Sequence, residues 1–260
     1  MTDVARFYDD LAHYYHLLFD DWDDSLRRQE SLLRGLLERE LGSGAFRVLD
    51  AACGIGTQSL AMARAGHSVT GSDLSPAAVR RARREAAKRG LEIAFQVADM
   101  RVLSGYHAGP FDVVVALDNA LPHLESEADM SAAVREMASL LEPGGLLIAS
   151  VRDYESLAQA QPRVTTPRVF GGGDKRRITF QVWDWRRDGR GYRIHQYILQ
   201  HGKSATVETR VFTTTYWAWR RDDLSGLMAG AGLVGIRWIE PEESGFYQPI
   251  VLARAPRETG

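Results

Sequence analysis

The chain has 260 residues, of which 45% are hydrophobic and 25% are charged. These proportions are ordinary for a folded globular protein, and they exclude the collagen-like, disordered and disulfide-stapled classes. The 32 basic and 34 acidic residues give a formal net charge of -2. This balance disfavours a dedicated nucleic-acid binder, because binding to a phosphate backbone needs a basic surface.

Cysteine content and the absence of targeting patterns predict a cytoplasmic protein without a membrane partner. The single cysteine, Cys53, can form no intrachain disulfide, as expected in a reducing compartment. The first ten residues are acidic where a signal peptide would be basic and then apolar, and no apolar run reaches the ~18 residues of a membrane span. The seven histidines are scattered without metal-ligand spacing, so we expect no metal.

Two helices are predicted for residues 2–41, where apolar and aromatic residues recur at spacings of three and four. The acidic run from Asp20 to Asp24 should break this pattern, so that the second helix covers 26–41 and ends at Gly42. Further along, apolar runs predict strands at 47–52, 67–73, 92–98, 111–117 and 145–151, alternating with helices at 58–65, from Ser75 onward and at 127–141. Such alternation is typical of an α/β fold whose parallel sheet is covered on both faces.

The pattern changes after Arg152. Segments rich in β-branched and aromatic residues predict an antiparallel insertion with strands at 178–185, 192–200 and 206–219. A last helix at 221–231 and a hairpin of 233–239 and 248–253 should complete the main sheet. The chain is therefore divided into a helical arm or lid (1–44), an α/β core (45–155), a β insertion (156–219) and a C-terminal helix with hairpin (220–260).

A glycine-containing turn, Asp50-Ala-Ala-Cys-Gly54-Ile-Gly56-Thr57, follows the first predicted strand. Glycines let a ligand approach the backbone, and the start of the next helix offers free N–H groups. A nicotinamide or flavin site would have a third glycine at position 59, which is serine here. Asp73 and Asp99 end the next two strands, so one extended ligand can meet the turn and both acids at one sheet edge. Asp73 can accept hydrogen bonds from ribose hydroxyls, and Asp99 can accept them from an exocyclic amine such as that of adenine.

This pattern resembles that of the class I S-adenosylmethionine-dependent methyltransferases over about residues 47–151. The resemblance implies a doubly wound, mostly parallel seven-stranded sheet and S-adenosylmethionine as the cofactor. It also implies that the turn holds the methionine portion, the acid after the second strand the ribose, and the acid after the third strand the adenine. The implied cofactor contacts are Asp50, Ala52, Gly54, Gly56, Asp73, Leu74, Asp99 and Met100.

A closer resemblance lies in two segments that follow later strands. Leu117-Asp-Asn119-Ala-Leu-Pro-His123-Leu is similar to Leu-Gly-Asn-Ser-Phe-Ala-His-Leu of the glycine N-methyltransferases, and Val151-Arg152-Asp153-Tyr154 is similar to their His-Arg-Asn-Tyr. The resemblance implies that Asn119 and Arg152 grip a substrate carboxylate, a task that suits the planar guanidinium fork. It further implies cofactor contacts from Leu117, His123, Arg28 and Tyr8, and active-site roles for Tyr197 and Tyr216.

Two departures from the resembled segments add carboxylates: Asp118 replaces a glycine and Asp153 an asparagine. Either side chain could disfavour an acidic substrate or pair with Arg152 instead. The predicted function is methyl transfer to the nitrogen of a small amine, such as glycine or an N-methylated glycine. The alternative is an O-, N- or C-methyltransferase of a natural product or another small molecule. A non-catalytic cofactor-binding subunit, a nicotinamide-dependent oxidoreductase and a homo-oligomeric state also stay open.

Overall fold

Helices and strands alternate through the chain, which the computed structural model describes over residues 2–203 and 206–257. The helices are α1 (Asp3–Leu11), α2 (Trp22–Leu41), α3 (Thr57–Arg64), α4 (Pro76–Lys88), α5 (Glu127–Ser139), α6 (Tyr154–Ala160), α7 (Arg221–Gly230) and α8 (Pro241–Ser244). The strands are β1 (Arg47–Asp50), β2 (Ser68–Asp73), β3 (Ala94–Val97), β4 (Phe111–Ala116), β5 (Leu141–Ser150), β6 (Arg168–Phe170), β7 (Arg177–Trp185), β8 (Gly191–His201), β9 (Val207–Trp217), β10 (Val234–Ile239) and β11 (Ile250–Arg254).

The main sheet has seven strands in the order β10-β11-β5-β4-β1-β2-β3. Only β11 runs antiparallel to its neighbours, so the predicted seven-stranded, mostly parallel sheet is confirmed. The strand order reverses at β1, which pairs with β2 on one side and with β4 on the other. In open parallel sheets, the crevice beyond the strand ends at such a reversal is the usual ligand site.

The predicted antiparallel insertion is also confirmed, as a second sheet in the order β6-β7-β8-β9. Its edge strand β6 was not predicted, because three residues are too few to show a strand pattern. Alternate residues of β8 face the interior, so that Tyr192, Ile194 and Ile198 join the same hydrophobic cluster as Phe7 of α1. The arm, the main sheet and the insertion therefore share one core.

The arm differs from prediction at the start of its second helix. The acidic run was expected to precede a helix beginning at Leu26, but α2 already begins at Trp22. The Asp21 side chain accepts a hydrogen bond from the Asp24 backbone N–H at 3.0 Å, and the acids of the first turn face the positive end of the helix dipole. Acidic residues that were expected to interrupt the helical pattern therefore form the start of α2. No helix in residues 2–203 and 206–257 is long and apolar enough to cross a membrane.

Candidate active site

Two cavities lie at the carboxyl edge of the main sheet. The smaller, of about 180 Å³, lies between the β1–α3 turn, the ends of β2 and β3, and the arm. The larger, of about 610 Å³, lies between the arm, the segment after β5 and the inner face of the second sheet. Tyr8, Tyr15 and Asp118 line both cavities. The two spaces therefore adjoin at these three side chains.

The β1–α3 turn has the backbone conformation that glycine favours. Gly54 and Gly56 have φ angles of 52° and 97°, and the second of them caps α3. A Cβ at Gly56 would also lie 3.3 Å from the Ala82 Cβ. Ala52 and Gly54 line the smaller cavity, whereas Gly56 is not among its lining residues. The second glycine therefore shapes the turn from behind the cavity wall.

Asp50 lies beneath this turn and is only 1% exposed. Its carboxylate accepts hydrogen bonds from the Ser59 hydroxyl at 2.6 Å and from the Ala52 backbone N–H at 3.4 Å. Burial raises the pKa of Asp50 to about 7. Asp50 therefore supports the turn and is not among the residues that line the cavity, and its contact with the cofactor stays a prediction. Its partner is the serine that replaces the third glycine of a dinucleotide motif.

Asp73 holds the turn from the end of β2 and also lines the smaller cavity. One carboxylate oxygen accepts the Gly54 N–H at 2.9 Å and the other accepts the Ser75 N–H at 2.8 Å. Burial raises the pKa of Asp73. Each oxygen keeps a lone pair, so the carboxylate can still accept a hydrogen bond from a ligand hydroxyl. Leu74 lines the same wall.

Asp99 lines the smaller cavity as one member of an ion-pair network that the sequence did not reveal. Arg101 donates to both Asp99 oxygens, with a shortest distance of 2.6 Å, and to Asp129 at 2.7 Å. Partial burial raises the pKa of Asp99, but the hydrogen bonds from Arg101 outweigh it and the pKa is lowered. Asp99 is thus engaged by Arg101, and its contact with the adenine stays a prediction. Met100 lies beside it in the cavity wall.

His123 and Leu117 complete the wall of the smaller cavity below the arm. The His123 Nε2 is 2.8 Å from the Tyr8 hydroxyl. Burial lowers the pKa of His123 to about 3, so the ring is neutral. The Gln58 Nε2 is buried and has no hydrogen-bond partner among residues 2–203 and 206–257. Buried polar atoms are nearly always paired in proteins, so this atom favours a ligand in the cavity that Gln58 lines.

Arg152 lines the larger cavity with neutral partners. Its guanidinium donates to the Tyr192 hydroxyl at 2.7 Å and to the Gln181 side-chain oxygen at 3.1 Å. It also lies over the rings of Trp183 and Tyr216, 4.9 and 5.2 Å from their centroids. Within the described ranges, no carboxylate lies within 4.0 Å of this cation. A recessed guanidinium without a counter-charge favours an anionic ligand.

Neither of the two additional carboxylates neutralises Arg152. Asp153 caps α6, where it accepts the Ser156 backbone N–H at 3.4 Å. Asp118 instead accepts hydrogen bonds from the hydroxyls of Tyr15, at 2.8 Å, and Tyr247. The sequence left open whether Asp118 or Asp153 pairs with Arg152, and in the structure neither of them does.

Asn119 lies between Arg152 and the cavity in an unusual backbone conformation. Asp118 and Asn119 have φ angles of 60° and 63°, and such left-handed residues cost on the order of 1–3 kcal/mol each. The Asn119 side-chain oxygen accepts the Arg152 backbone N–H at 3.0 Å and the Tyr154 hydroxyl at 3.1 Å. Its Nδ2 is buried without a partner in the described part of the chain, which leaves a donor for a ligand.

The two predicted tyrosines of the insertion have different positions. Tyr216 lines the larger cavity, and burial raises its pKa to about 12. Tyr197 lies on the opposite face of β8, where its ring stacks on that of Phe180 at a centroid distance of 4.8 Å. Side chains alternate between the faces of a strand, so Tyr197 and Tyr216 lie on opposite faces of the sheet, and the predicted role of Tyr197 finds no support in its position. Arg28 is exposed and lines the larger cavity rather than the smaller one.

Other polar residues around Arg152 were missed by the sequence analysis. Gln181 donates to the Gln196 side-chain oxygen at 2.8 Å, which extends the contacts of Arg152 across β7 and β8. Tyr192 lies on the inward face of the second sheet, two residues before Ile194 along β8. Period-two alternation of polar residues among apolar ones was the available signal, but it does not say which face is inward. In residues 2–203 and 206–257, no three metal-binding side chains come together.

Comparison with known proteins gives one family match, to a methyltransferase domain, over residues 48–145. The chain is 36% identical over 175 residues to a ubiquinone biosynthesis O-methyltransferase of Caulobacter sp. (strain K31), covering 62% of this chain and 67% of that protein. It is 33% identical over 156 residues to a glycine/sarcosine N-methyltransferase of Parasynechococcus marenigrum (strain WH8102), covering 59% and 54%. The chain thus spans from half to two thirds of these relatives.

The fold is similar to that of an amino pentose methyltransferase from Micromonospora echinaspora, solved with S-adenosylmethionine bound. The TM-score is 0.71 at 21% identity, and the match covers 88% of this chain and 91% of that one. Unlike the family match, which ends at residue 145, this similarity extends through most of the chain. The similarity of the part of the chain beyond residue 145 to known proteins therefore rests, in this comparison, on the fold.

Proposed function

The chain belongs to the class I S-adenosylmethionine-dependent methyltransferases, and on this premise we propose that it methylates the nitrogen of a small amine that carries a carboxylate. Glycine and N-methylated glycines are the simplest such acceptors. The observation that carries the proposal is Arg152, a recessed cation whose partners in the larger cavity are neutral. The free Asn119 Nδ2 adds a second donor for the same carboxylate.

The smaller cavity suits S-adenosylmethionine in the chemistry of its wall. Asp73 offers carboxylate lone pairs for the ribose hydroxyls, and the turn at Gly54 brings bare backbone to the cavity. The unpaired Gln58 Nε2 would gain a partner. Arg101 and Met100 would lie against the adenine. We therefore assign the cofactor to this cavity and the acceptor to the larger one.

The cofactor, when bound, supplies a methyl group already activated by its sulfonium. No covalent intermediate with a side chain is needed, and the task of the protein is to orient the acceptor and exclude water. Arg152 and Asn119 hold the carboxylate, so that the amine extends towards the junction of the two cavities. The arm closes this junction through Tyr8 and Tyr15. The tyrosine hydroxyls there, with neutral His123, provide dipoles for the charge that forms on nitrogen.

The test is a methyl-transfer assay with labelled cofactor against glycine, sarcosine and dimethylglycine. Methylamine and dimethylamine are matched acceptors without a carboxylate, and a set of phenols represents oxygen acceptors. We expect kcat/KM for glycine or sarcosine to exceed that for the matched amines at least tenfold, because only the former can bind Arg152. Transfer to phenols alone would refute the proposal.

A second candidate function is methylation of a larger natural product. The larger cavity, at about 610 Å³, lies in the range of ~300–1,000 Å³ that holds drug-sized ligands, and glycine would leave much of it to water. The ubiquinone O-methyltransferase relative and the amino pentose methyltransferase act on larger molecules by their names. A bulky neutral acceptor would make little use of Arg152, so the same assay separates the candidates.

A further inference from the structure

Asp118 occupies the junction of the two cavities. It lines both of them, a property that it shares among the described residues only with Tyr8 and Tyr15. It follows β4 directly after Leu117, at the sheet edge where β1 and β4 pair. A group at this junction faces the point where the transferred methyl must pass from the cofactor to the acceptor.

The Asp118 carboxylate is held in place from two distant parts of the chain. Tyr15 of the arm donates to one oxygen at 2.8 Å, and Tyr247, between α8 and β11, donates to the other. Each oxygen therefore keeps a lone pair for a third donor. In residues 2–203 and 206–257, no basic side chain lies within 4.0 Å of it. This recessed anion, like Arg152, is without a counter-charge.

The larger cavity thus presents a recessed cation, Arg152, and Asp118, the only carboxylate that lines it among the described residues; two further arginines, Arg28 and Arg168, also line it. Asn119 links the backbones of Arg152 and Asp118, because it follows Asp118 in sequence and its side chain accepts the Arg152 N–H at 3.0 Å. A zwitterionic amino acid carries the complementary pair of charges a few bonds apart. With its carboxylate on Arg152, its ammonium group would find a counter-charge at Asp118, because no other carboxylate among the described residues lines this cavity.

We propose that Asp118 binds the amine of the acceptor and receives its proton before methyl transfer. This inference rests on the proposed function. An N–H bond of the ammonium breaks and its proton passes to a carboxylate oxygen. The freed lone pair then forms the N–C bond as the methyl–sulfur bond breaks, leaving a neutral thioether and an N-methyl ammonium. The carboxylic acid returns its proton to water when the product leaves.

The surroundings of Asp118 favour such a role. Burial raises the pKa of the Asp118 carboxyl, while the bonds from Tyr247 and Tyr15 and the charge of Arg152 partly oppose the shift. A carboxylate with a raised pKa is a better proton acceptor than an exposed one. Of the other groups that face it, Tyr15, Tyr247 and Tyr216 have pKa values raised by burial and stay protonated at neutral pH.

Two substitutions remove the carboxylate without straining the backbone. Asp118→Gly suits the φ of 60° better than aspartate does, and glycine is the residue of the resembled segment. Asp118→Asn tolerates the same conformation and keeps the shape of the side chain. The matched control is Asp184→Asn, on the exposed outer face of β7. Melting curves establish that each variant is folded.

The experiment measures kcat and KM for glycine and sarcosine between pH 7 and 9.5, with cofactor affinity by calorimetry. For both Asp118 variants we expect kcat/KM at pH 7 to fall at least 30-fold, with cofactor Kd within threefold of wild type. The deficit should shrink as pH approaches the pKa of the amine itself, because solvent then removes the proton. Asp184→Asn should behave as wild type.

The outcomes separate the two proposals. Wild-type activity on glycine or sarcosine, with Asp118 variants within threefold of it or with a deficit equal at every pH, overturns the role of Asp118 alone. A wild type that methylates none of the carboxylate-bearing amines overturns the proposed function and, with it, this inference.

Discussion

The two cavities are assembled from the chain in opposite ways. In the smaller one the hydrogen bonds that shape the β1–α3 turn join residues close in sequence, such as Gly54 with Asp73, 19 positions apart, and Asp50 with Ser59, nine apart, whereas the contact of the arm through Tyr8 and His123 spans a long stretch of chain. In the larger one Arg152 binds Tyr192 across 40 positions, and Asp118 binds Tyr247 across 129. A cofactor site can thus be recognised in one segment, whereas an acceptor site is visible only after folding.

This difference also predicts which properties of the protein a substitution in each cavity will alter. The smaller cavity is built from the main sheet, through the β1–α3 turn, Asp73 and the end of β1. Substitutions there should therefore change the stability of the fold and the affinity for the cofactor together. The polar wall of the larger cavity is carried by inward positions of β7 and β8, where a substitution changes the acceptor and leaves the main sheet intact. Variants in the two regions should therefore separate acceptor effects from stability effects.

The largest effect is expected from Arg152→Ala. If the larger cavity binds a carboxylate, kcat/KM for glycine or sarcosine should fall about 100-fold, because truncating one partner of a recessed charged pair costs about 2–5 kcal/mol. Cofactor Kd, measured by calorimetry, should stay within threefold of wild type.

Arg193→Ala, on the exposed outer face of β8, is the control for loss of an arginine and should retain wild-type kinetics. Arg152→Lys should recover only part of the loss, since it keeps the charge without the planar fork. A bulky neutral acceptor turned over equally by wild type and Arg152→Ala would show that the cavity does not select a carboxylate.

A smaller effect, on stability rather than acceptor binding, is expected at Asp50. Its folded pKa of about 7 lies above that of an exposed aspartate, so the folded state binds the extra proton between these values. The free energy of unfolding should therefore fall as pH rises from 5 to 8, by on the order of 2 kcal/mol.

Asp50→Asn removes this titration. Denaturant unfolding of the variant should show a flatter dependence on pH than the wild type over the same range. Identical pH dependences in the two proteins would mean that Asp50 is ionised in the folded state throughout.

The smallest effect compares two tyrosines of one strand. Tyr192→Phe removes a hydrogen bond to Arg152, worth about 0.5–1.5 kcal/mol, so we expect roughly a fivefold rise in KM for glycine. Tyr197→Phe, on the other face of β8, should leave kinetics unchanged. The reverse pattern would place the acceptor on the outer face of the second sheet.

Most of the fold was predictable because its signals are local. The strands of the main sheet are short apolar runs closed by glycine or acid, and Ser75 caps α4 as expected by accepting the Ala78 N–H at 3.0 Å. Errors arose where one residue type has two uses. Acids such as Asp21 can interrupt a helix or cap the start of one. Which of the two occurs depends on whether the backbone that follows is helical, so that the side chain can accept a hydrogen bond from its first turn.

The candidate site was predictable in part. Asp73, Asn119, Arg152 and Tyr216 lie in the cavity walls as the resemblance implied, although their roles stay predictions. The engagement of Asp99 by Arg101 could not be read in advance, because an acid at a strand end looks the same whether or not a guanidinium reaches it. The positions of Tyr197 and Tyr192 depended on strand orientation, which alternation alone leaves undetermined.

The amino-acid sequence by itself determined the α/β order and the glycine turn, since hydrophobic period and turn chemistry act over a few residues, and the resemblance of that turn and its acids to a known family gave the cofactor class. Only the tertiary structure decided that Arg152 and Asp118 lie in one cavity without neutralising each other. That arrangement depends on Tyr15, Gln181, Tyr192 and Tyr247 arriving from separate parts of the chain. Charges interact through space, and distances across a cavity are set by how sheets and arm pack together.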